Sequence, residues 1–249
     1  MIQASAYLYR LWDEGQRHLA AGRYVAARSL LERAADSAWR AGDVRSLARI
    51  YLPLLEVRRL IRYQAAEGQI IIADSAAPLR RLLRQFEQAS AGTFLVCDNT
   101  PRSMHVAQAI HGVARRTGHR LEALLLVGHG HYTRLATPDD PTFAAGLPVA
   151  FTDDPAAAIA GATDPALSIP LPSPGVYDGN ASGLGALARE ALLIAWEALA
   201  LRWQSRHPLF AGAGPWEELL WLREALEIDP ACEPITLRLI ALAEGVARA

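Results

Sequence analysis

Between Thr93 and Tyr132 the chain carries two short runs without polar alternation, Phe94–Cys97 and Leu121–Val127, separated by a long segment. A strand that is apolar on both faces has to be covered on both faces, as the strands of a parallel sheet are. Thr100-Pro101 opens the segment between the runs and Gly118 closes it, so it reads as a crossover helix. The stretch therefore predicts strand, helix, strand, the centre of an α/β domain.

Similar signals extend that domain in both directions. Ile70-Ile71-Ile72 is a β-branched run and reads as the first strand, followed by an amphipathic helix over Pro78–Gln88. Leu147–Phe151 reads as a fourth strand. Leu167–Leu171 reads as a fifth, confined to an edge by Pro170 and Pro172. The third strand, Leu121–Val127, is followed by a loop with the turn signals Thr137-Pro138-Asp139-Asp140-Pro141, and the segment Pro172–Gly185 is rich in Pro, Gly, Ser and Asn. A long helix over 184–206, rich in leucine and tryptophan, is expected to be largely buried. Ile71, Leu95, Val96 and Leu125 are the expected core of the sheet.

Composition narrows the setting. No apolar run reaches the roughly 18 residues that a membrane helix needs. The opening MIQASAYLYRLWDEG has no secretory pattern. Cys97 and Cys232 are far apart and form no motif. A soluble, cytoplasmic protein with reduced thiols is expected. All 25 cationic side chains are arginine, the residue suited to bidentate carboxylate or phosphate contacts. They are unevenly spread: 14 Arg face 9 acids through Gly92, and 11 face 17 thereafter. Nucleic acid is not the expected partner of the basic part. Glu32, Asp36, Glu56 and Glu67 interrupt the arginines there, and no aromatic stacking pattern accompanies them.

The ends of the chain follow a different rule. Gly15, Ala27, Leu31 and Ala34 have the spacing of small and large residues found in paired helices, with Gly22 and Tyr24 at the turn. This stretch resembles a tetratricopeptide repeat. It departs at Glu14, where Leu is usual, at His18, where Tyr is usual, and at Trp39, where Pro is usual; the missing Pro lets the second helix run on. Asp43 then reads as the N-cap of a helix from Val44 to about Gln64, with Pro53 inside it. Near the other end, Ala225-Leu226-Glu227-Ile228-Asp229-Pro230 looks like the second half of such a repeat. The resemblance implies concave surfaces that bind other polypeptides. The expected fold is thus a doubly wound, mostly parallel α/β sheet of four or five strands, flanked by tetratricopeptide-like helices. Three domains are expected: 1–67 helical, 68–212 Rossmann-like, and 213–249 helical.

Chemistry is expected at the carboxyl edge of the sheet, where loops and helix N-termini converge. Asp98 and Asn99 follow the second strand, and Gly128-His129-Gly130-His131 follows the third. Joined by a right-handed crossover, these two strands should end on the same edge. The helix from Pro101 would turn its positive end toward that edge and favour an anion, with Arg102 or Arg134 completing the neutralisation. Asp98, His129 and His131 are also residue types a divalent metal takes. No metal is expected, because His105, His111 and His119 do not share a face with that loop. The segment around Ser182 and Gly183 offers a second anion site at a helix N-terminus. It has neither the glycine spacing of a dinucleotide loop nor the strand-to-helix elbow of a serine hydrolase. Binding of a small anionic ligand by Asp98, Asn99, His129, His131, Ser182 and Gly183 is the leading expectation. The alternatives are a pure protein-interaction scaffold, and a hydrolase or transferase acting on a phosphorylated small molecule. The cofactor, if any, is not indicated.

Overall fold

The structure, a computed structural model, describes residues 2–73, 91–97, 109, 120–129, 132–136, 147–151, 169–173 and 175–248. Its helices are α1 (Ile2–Ala20), α2 (Tyr24–Ala41), α3 (Val44–Glu67), α4 (Leu184–Arg206), α5 (Pro215–Ile228) and α6 (Glu233–Val246). Its strands are β1 (Gln69–Ala73), β2 (Ala91–Cys97), β3 (Arg120–His129), β4 (Tyr132–Ala136), β5 (Leu147–Phe151), β6 (Ile169–Leu171) and β7 (Gly175–Asp178). The expected helices over Pro78–Gln88 and 101–117 fall outside the described residues.

The chain divides into two units. The first joins residues 1–61 to residues 207–249, and the second is residues 62–206. In the first unit, alanine-rich stripes let helices approach closely. Leu8, Leu11 and Gly15 of α1 are buried, as are Ala27, Leu31, Ala34 and Ala38 of α2. The helices from the two ends of the chain pack together. Arg58 of α3 donates to Glu32 at 3.1 Å and to the Pro230 carbonyl at 3.2 Å, and Arg59 pairs with Glu233 of α6.

The start of α3 is fixed by its cap. The Ser46 backbone N–H donates to Asp43 Oδ1 at 3.0 Å and the Ser46 hydroxyl donates to Asp43 Oδ2 at 2.6 Å. These bonds satisfy one of the N–H groups that a helix start leaves open. Asp43→Ala should therefore cost about 1 kcal/mol in thermal or urea unfolding, and Asp43→Asn clearly less. Pro53 is accommodated inside α3, which continues to Glu67.

The second unit corrects the expected fold class. The sheet is not a doubly wound, mostly parallel sheet of four or five strands. It is a mixed sheet of seven, in the order β6-β5-β4-β3-β2-β1-β7. β1–β2, β2–β3 and β5–β6 pair in parallel, whereas β1–β7, β3–β4 and β4–β5 pair antiparallel. A doubly wound sheet reverses its strand order part-way. Here β1 to β6 are added consecutively in one direction, and β7 returns to the free side of β1. Two strands arise where none was expected: β4 in the stretch that follows Val127, and β7 within Pro172–Gly185. Neither is strongly apolar, and each forms by pairing with a neighbour. β6 is an edge strand.

The buried strands follow from their composition. Ile70, Ile71 and Ile72 are all buried, and so are Thr93, Phe94 and Leu95. Successive strand residues point to opposite faces, so both faces of β1 and β2 are covered. The side chains of Val96 and Leu125 lie outside the described residues. α4 lies against β1, β5, β6 and β7 and buries Ala188, Leu192, Ala195, Trp196 and Leu199. Arg62, also buried, sits over the Trp196 ring with its guanidinium carbon 4.4 Å from the centroid.

Candidate functional site

Strand register decides what the sheet edge can offer. β1 and β2 are aligned so that Ala73 lies opposite Val96, and β2 and β3 so that Cys97 lies opposite Leu126. Three parallel strands thus finish toward one edge. β3 runs past its partner and does not stop at Val127. Gly128 pairs with Thr133 and His129 with Tyr132, both antiparallel. Gly128 and His129 are therefore strand residues. Arg134 lies on β4, opposite Val127 on one side and Pro148 on the other. Asp98, Asn99, His131 and Arg102 fall outside the described residues.

The strand order bears on this edge. An open α/β sheet gains a binding crevice where connections from adjacent parallel strands leave in opposite directions. From β1 to β2 to β3 each new strand adds on the same side, and β3 turns straight back into β4. Among the described strands that kind of crevice does not arise.

Ser182 and Gly183 lie in the turn between β7 and α4. Asp178 organises it: its Oδ1 accepts the Asn180 N–H at 3.0 Å and its carbonyl accepts the Ala181 N–H at 3.0 Å. Ser182 is exposed, and its side chain makes no hydrogen bond among the described residues. Gly183 takes a left-handed φ of +70°, and its carbonyl accepts the Leu187 N–H that opens α4. The turn is tied down elsewhere, with the Gly179 N–H donating to the Gly68 carbonyl at 2.9 Å and Arg189 donating to the Gly179 carbonyl at 2.9 Å. These bonds account for the turn as a structural joint.

The helical unit holds two side-chain clusters that the sequence reading missed. In the first, Trp39 Nε1–H donates to the Tyr51 hydroxyl at 2.9 Å, with the two rings edge-to-face and centroids 6.4 Å apart. Trp216 of α5 lies 5.6 Å from Trp39, and Arg223 of α5 places its guanidinium carbon 5.1 Å from the Trp39 centroid. Arg223 also faces Asp36 at 3.8 Å. Burial pushes the Tyr51 hydroxyl above its ordinary pKa of 10.0; the hydrogen bond from Trp39 and the charges of Arg58 and Arg223 pull the other way. The sign of the consequence is fixed. Below the unfolded value both states hold the proton and the contribution is complete. As pH rises through about 10 the unfolded tyrosine ionises first, and stability falls. Unfolding free energies measured between about pH 9 and pH 11 should decline less in Tyr51→Phe than in the natural protein.

The second cluster is on the surface. Tyr7 of α1 is 39% exposed. Arg33 of α2 donates to the Tyr7 hydroxyl at 2.7 Å, and the Arg10 guanidinium carbon lies 5.6 Å from the Tyr7 ring centroid. Tyr9, two residues on, is exposed and meets Trp12 edge-to-face at 6.5 Å.

Among the described residues no group of three or more His, Cys, Asp and Glu side chains could hold a metal ion, and no helix is long and apolar enough to cross a membrane. Comparison of the chain with family models, with curated proteins and with solved structures finds no match in any of the three.

Proposed function

We propose that the protein is an interaction scaffold whose helical unit, of tetratricopeptide-like construction, binds a polypeptide partner. The observation that carries this reading is the seam between α1 and α2. A Cβ placed on Gly15 would lie 2.8 Å from Leu31 Cγ, so these helices approach as closely as a glycine allows. Gly15, Ala27, Leu31 and Ala34, the residues that carry the resemblance, are all buried. Paired helices of this kind present side chains from successive helices on a shared outer surface. Exposed aromatic residues beside arginines, as at Tyr7, Tyr9 and Arg10, are the composition that binding surfaces favour. The test is selection from a displayed peptide library on the full-length chain. Peptides that bind the natural protein and bind Tyr7→Ala/Tyr9→Ala at least about tenfold more weakly support the reading. A library that returns no specific binder counts against it.

A second reading, a small anionic ligand held at the sheet edge, is favoured by the parallel pairing of β2 and β3. Asp98 and Asn99 follow β2 in the sequence, and β3 carries Gly128 and His129 beyond the last paired residue of β2. Its check is a thermal-shift screen with inorganic phosphate, sugar phosphates and nucleotides, since a ligand that binds only the folded state raises its stability. A shift that disappears in Asp98→Ala/His129→Ala/His131→Ala would support it. A shift that survives in that variant would move the site elsewhere, with Ser182 and Gly183 next to be tested.

A further inference from the structure

We infer that Tyr7, Arg10 and Arg33 form a receptor for a carboxylate, and that the partner of the helical unit is an acidic peptide segment. The inference rests on the scaffold reading and names the chemistry of its partner. Among the described residues, six of the thirteen arginines in the helical unit pair with a carboxylate: Arg17 with Asp13, Arg58 with Glu32, Arg59 with Glu233, Arg223 with Asp36, Arg238 with Glu218 and Arg248 with Glu244. Arg10 and Arg33 are among those with none within the described residues, and what distinguishes them is that both are exposed and both contact one tyrosine, Arg33 at its hydroxyl and Arg10 at its ring. The acids nearest in sequence do not neutralise them. Asp13 is taken by Arg17 and Asp36 faces Arg223, while Glu14 forms no ion pair among the described residues.

The geometry is that of a preorganised anion site. Arg33 donates to the Tyr7 oxygen, which leaves the phenol proton free to be donated outward. Arg10 sits at the ring of the same residue, so one tyrosine carries a guanidinium at its hydroxyl and a second at its ring. Guanidinium forks match the two oxygens of a carboxylate, and charge-assisted bonds are about twice as strong as neutral ones. Part of the ordering cost is already met by the Arg33–Tyr7 bond, which holds the receptor without its ligand. A peptide is favoured over nucleic acid because Glu32, Asp36 and Glu56 interrupt the arginines of these helices, whereas backbone phosphates are tracked by longer basic grooves with interleaved aromatic residues.

The experiment uses the full chain and three labelled probes followed by fluorescence anisotropy: a glutamate-rich decapeptide, the same peptide with glutamine in place of glutamate, and a single-stranded oligonucleotide. The acidic peptide should bind, and raising the salt from about 50 to 200 mM should weaken it, as for an exposed charged contact. The glutamine peptide should bind at least about tenfold more weakly. Arg10→Gln/Arg33→Gln, checked for an unchanged melting temperature, should lose about tenfold in affinity or more, and Tyr7→Phe a few-fold. An acidic peptide that binds the double variant as well as the natural chain overturns the inference. Tighter binding of the oligonucleotide also overturns it, in favour of nucleic acid. If the display selection returns neutral or basic peptides while the acidic probe fails, the carboxylate receptor is refuted and the scaffold reading survives. If neither the selection nor the probes yield a binder, both fall.

Discussion

Gly179→Ala is expected to destabilise the second unit by more than about 3 kcal/mol, the upper end of overpacking costs. A Cβ at this position would lie 1.9 Å from the Ala66 carbonyl oxygen, 2.9 Å from its carbon and 3.0 Å from the Gly68 carbonyl oxygen. All three are backbone atoms and cannot rotate away as a side-chain tip would. The residue cannot shift freely either, because its N–H donates to Gly68 and its carbonyl accepts from Arg189. Gly183→Ala provides the comparison. Its added Cβ would meet nothing within 4 Å, but its φ of +70° is left-handed, so the cost should be about 1–2 kcal/mol. Urea unfolding followed by tryptophan fluorescence separates the two. Near-equal losses would mean that the turn after β7 does not press against the end of α3.

Trp39→Ala should cost about 3–5 kcal/mol in the helical unit. The substitution removes a buried ring that touches α3 through Tyr51 and α5 through Trp216 and Arg223. It also takes away the donor to the buried Tyr51 hydroxyl. Trp39→Phe keeps most of the ring and loses only the N–H, so about 1–2 kcal/mol is expected from that variant. The gap between the two variants measures packing apart from hydrogen bonding. A loss below about 1 kcal/mol for Trp39→Ala would show that the helices from the two ends of the chain do not meet at this residue.

The legible parts of the fold are those whose residues declare their own burial. Ile70–Ile72 and Phe94-Leu95 are apolar on consecutive positions, as in a strand covered on both faces. α3 starts where Asp43 marks it, and α4 covers the span its leucine and tryptophan content marks. β4 and β7 were illegible for the opposite reason. Tyr132–Ala136 and Gly175–Asp178 mix polar and apolar residues, and their hydrogen-bond partners lie in other strands. Gly130-His131, two residues between Val127-Gly128-His129 and Tyr132-Thr133, was the available hairpin signal. Strand order was illegible altogether, because nothing local in a strand records the side on which the next one is added. Trp39 was noticed only as a departure from the repeat pattern. Tyr51 and Trp216 are tied to it by no sequence period, so the cluster emerges only from the packing of α2, α3 and α5. Of the residues expected at the sheet edge, Asp98, Asn99 and His131 lie outside the described residues, and His129 belongs to a strand.

The helical unit is assembled from residues 1–61 and 207–249, and this division sets an order of events at the ribosome. While the chain is being synthesised, α1, α2 and α3 emerge without α5 and α6, and the side of Trp39 that meets Trp216 and Arg223 has nothing to cover it. Residues 62–206 are contiguous and emerge complete, so they can fold before the last helices exist. Once they have done so, Arg62 is held over Trp196, and α4 ends at Arg206, ten residues further on. The long loop between the two halves of the helical unit is then closed in advance, and closing it no longer opposes their association. Premature termination between Arg206 and α5 would leave a nascent chain with a complete middle unit and an open apolar seam at its start, the kind of species that chaperones retain and proteases remove.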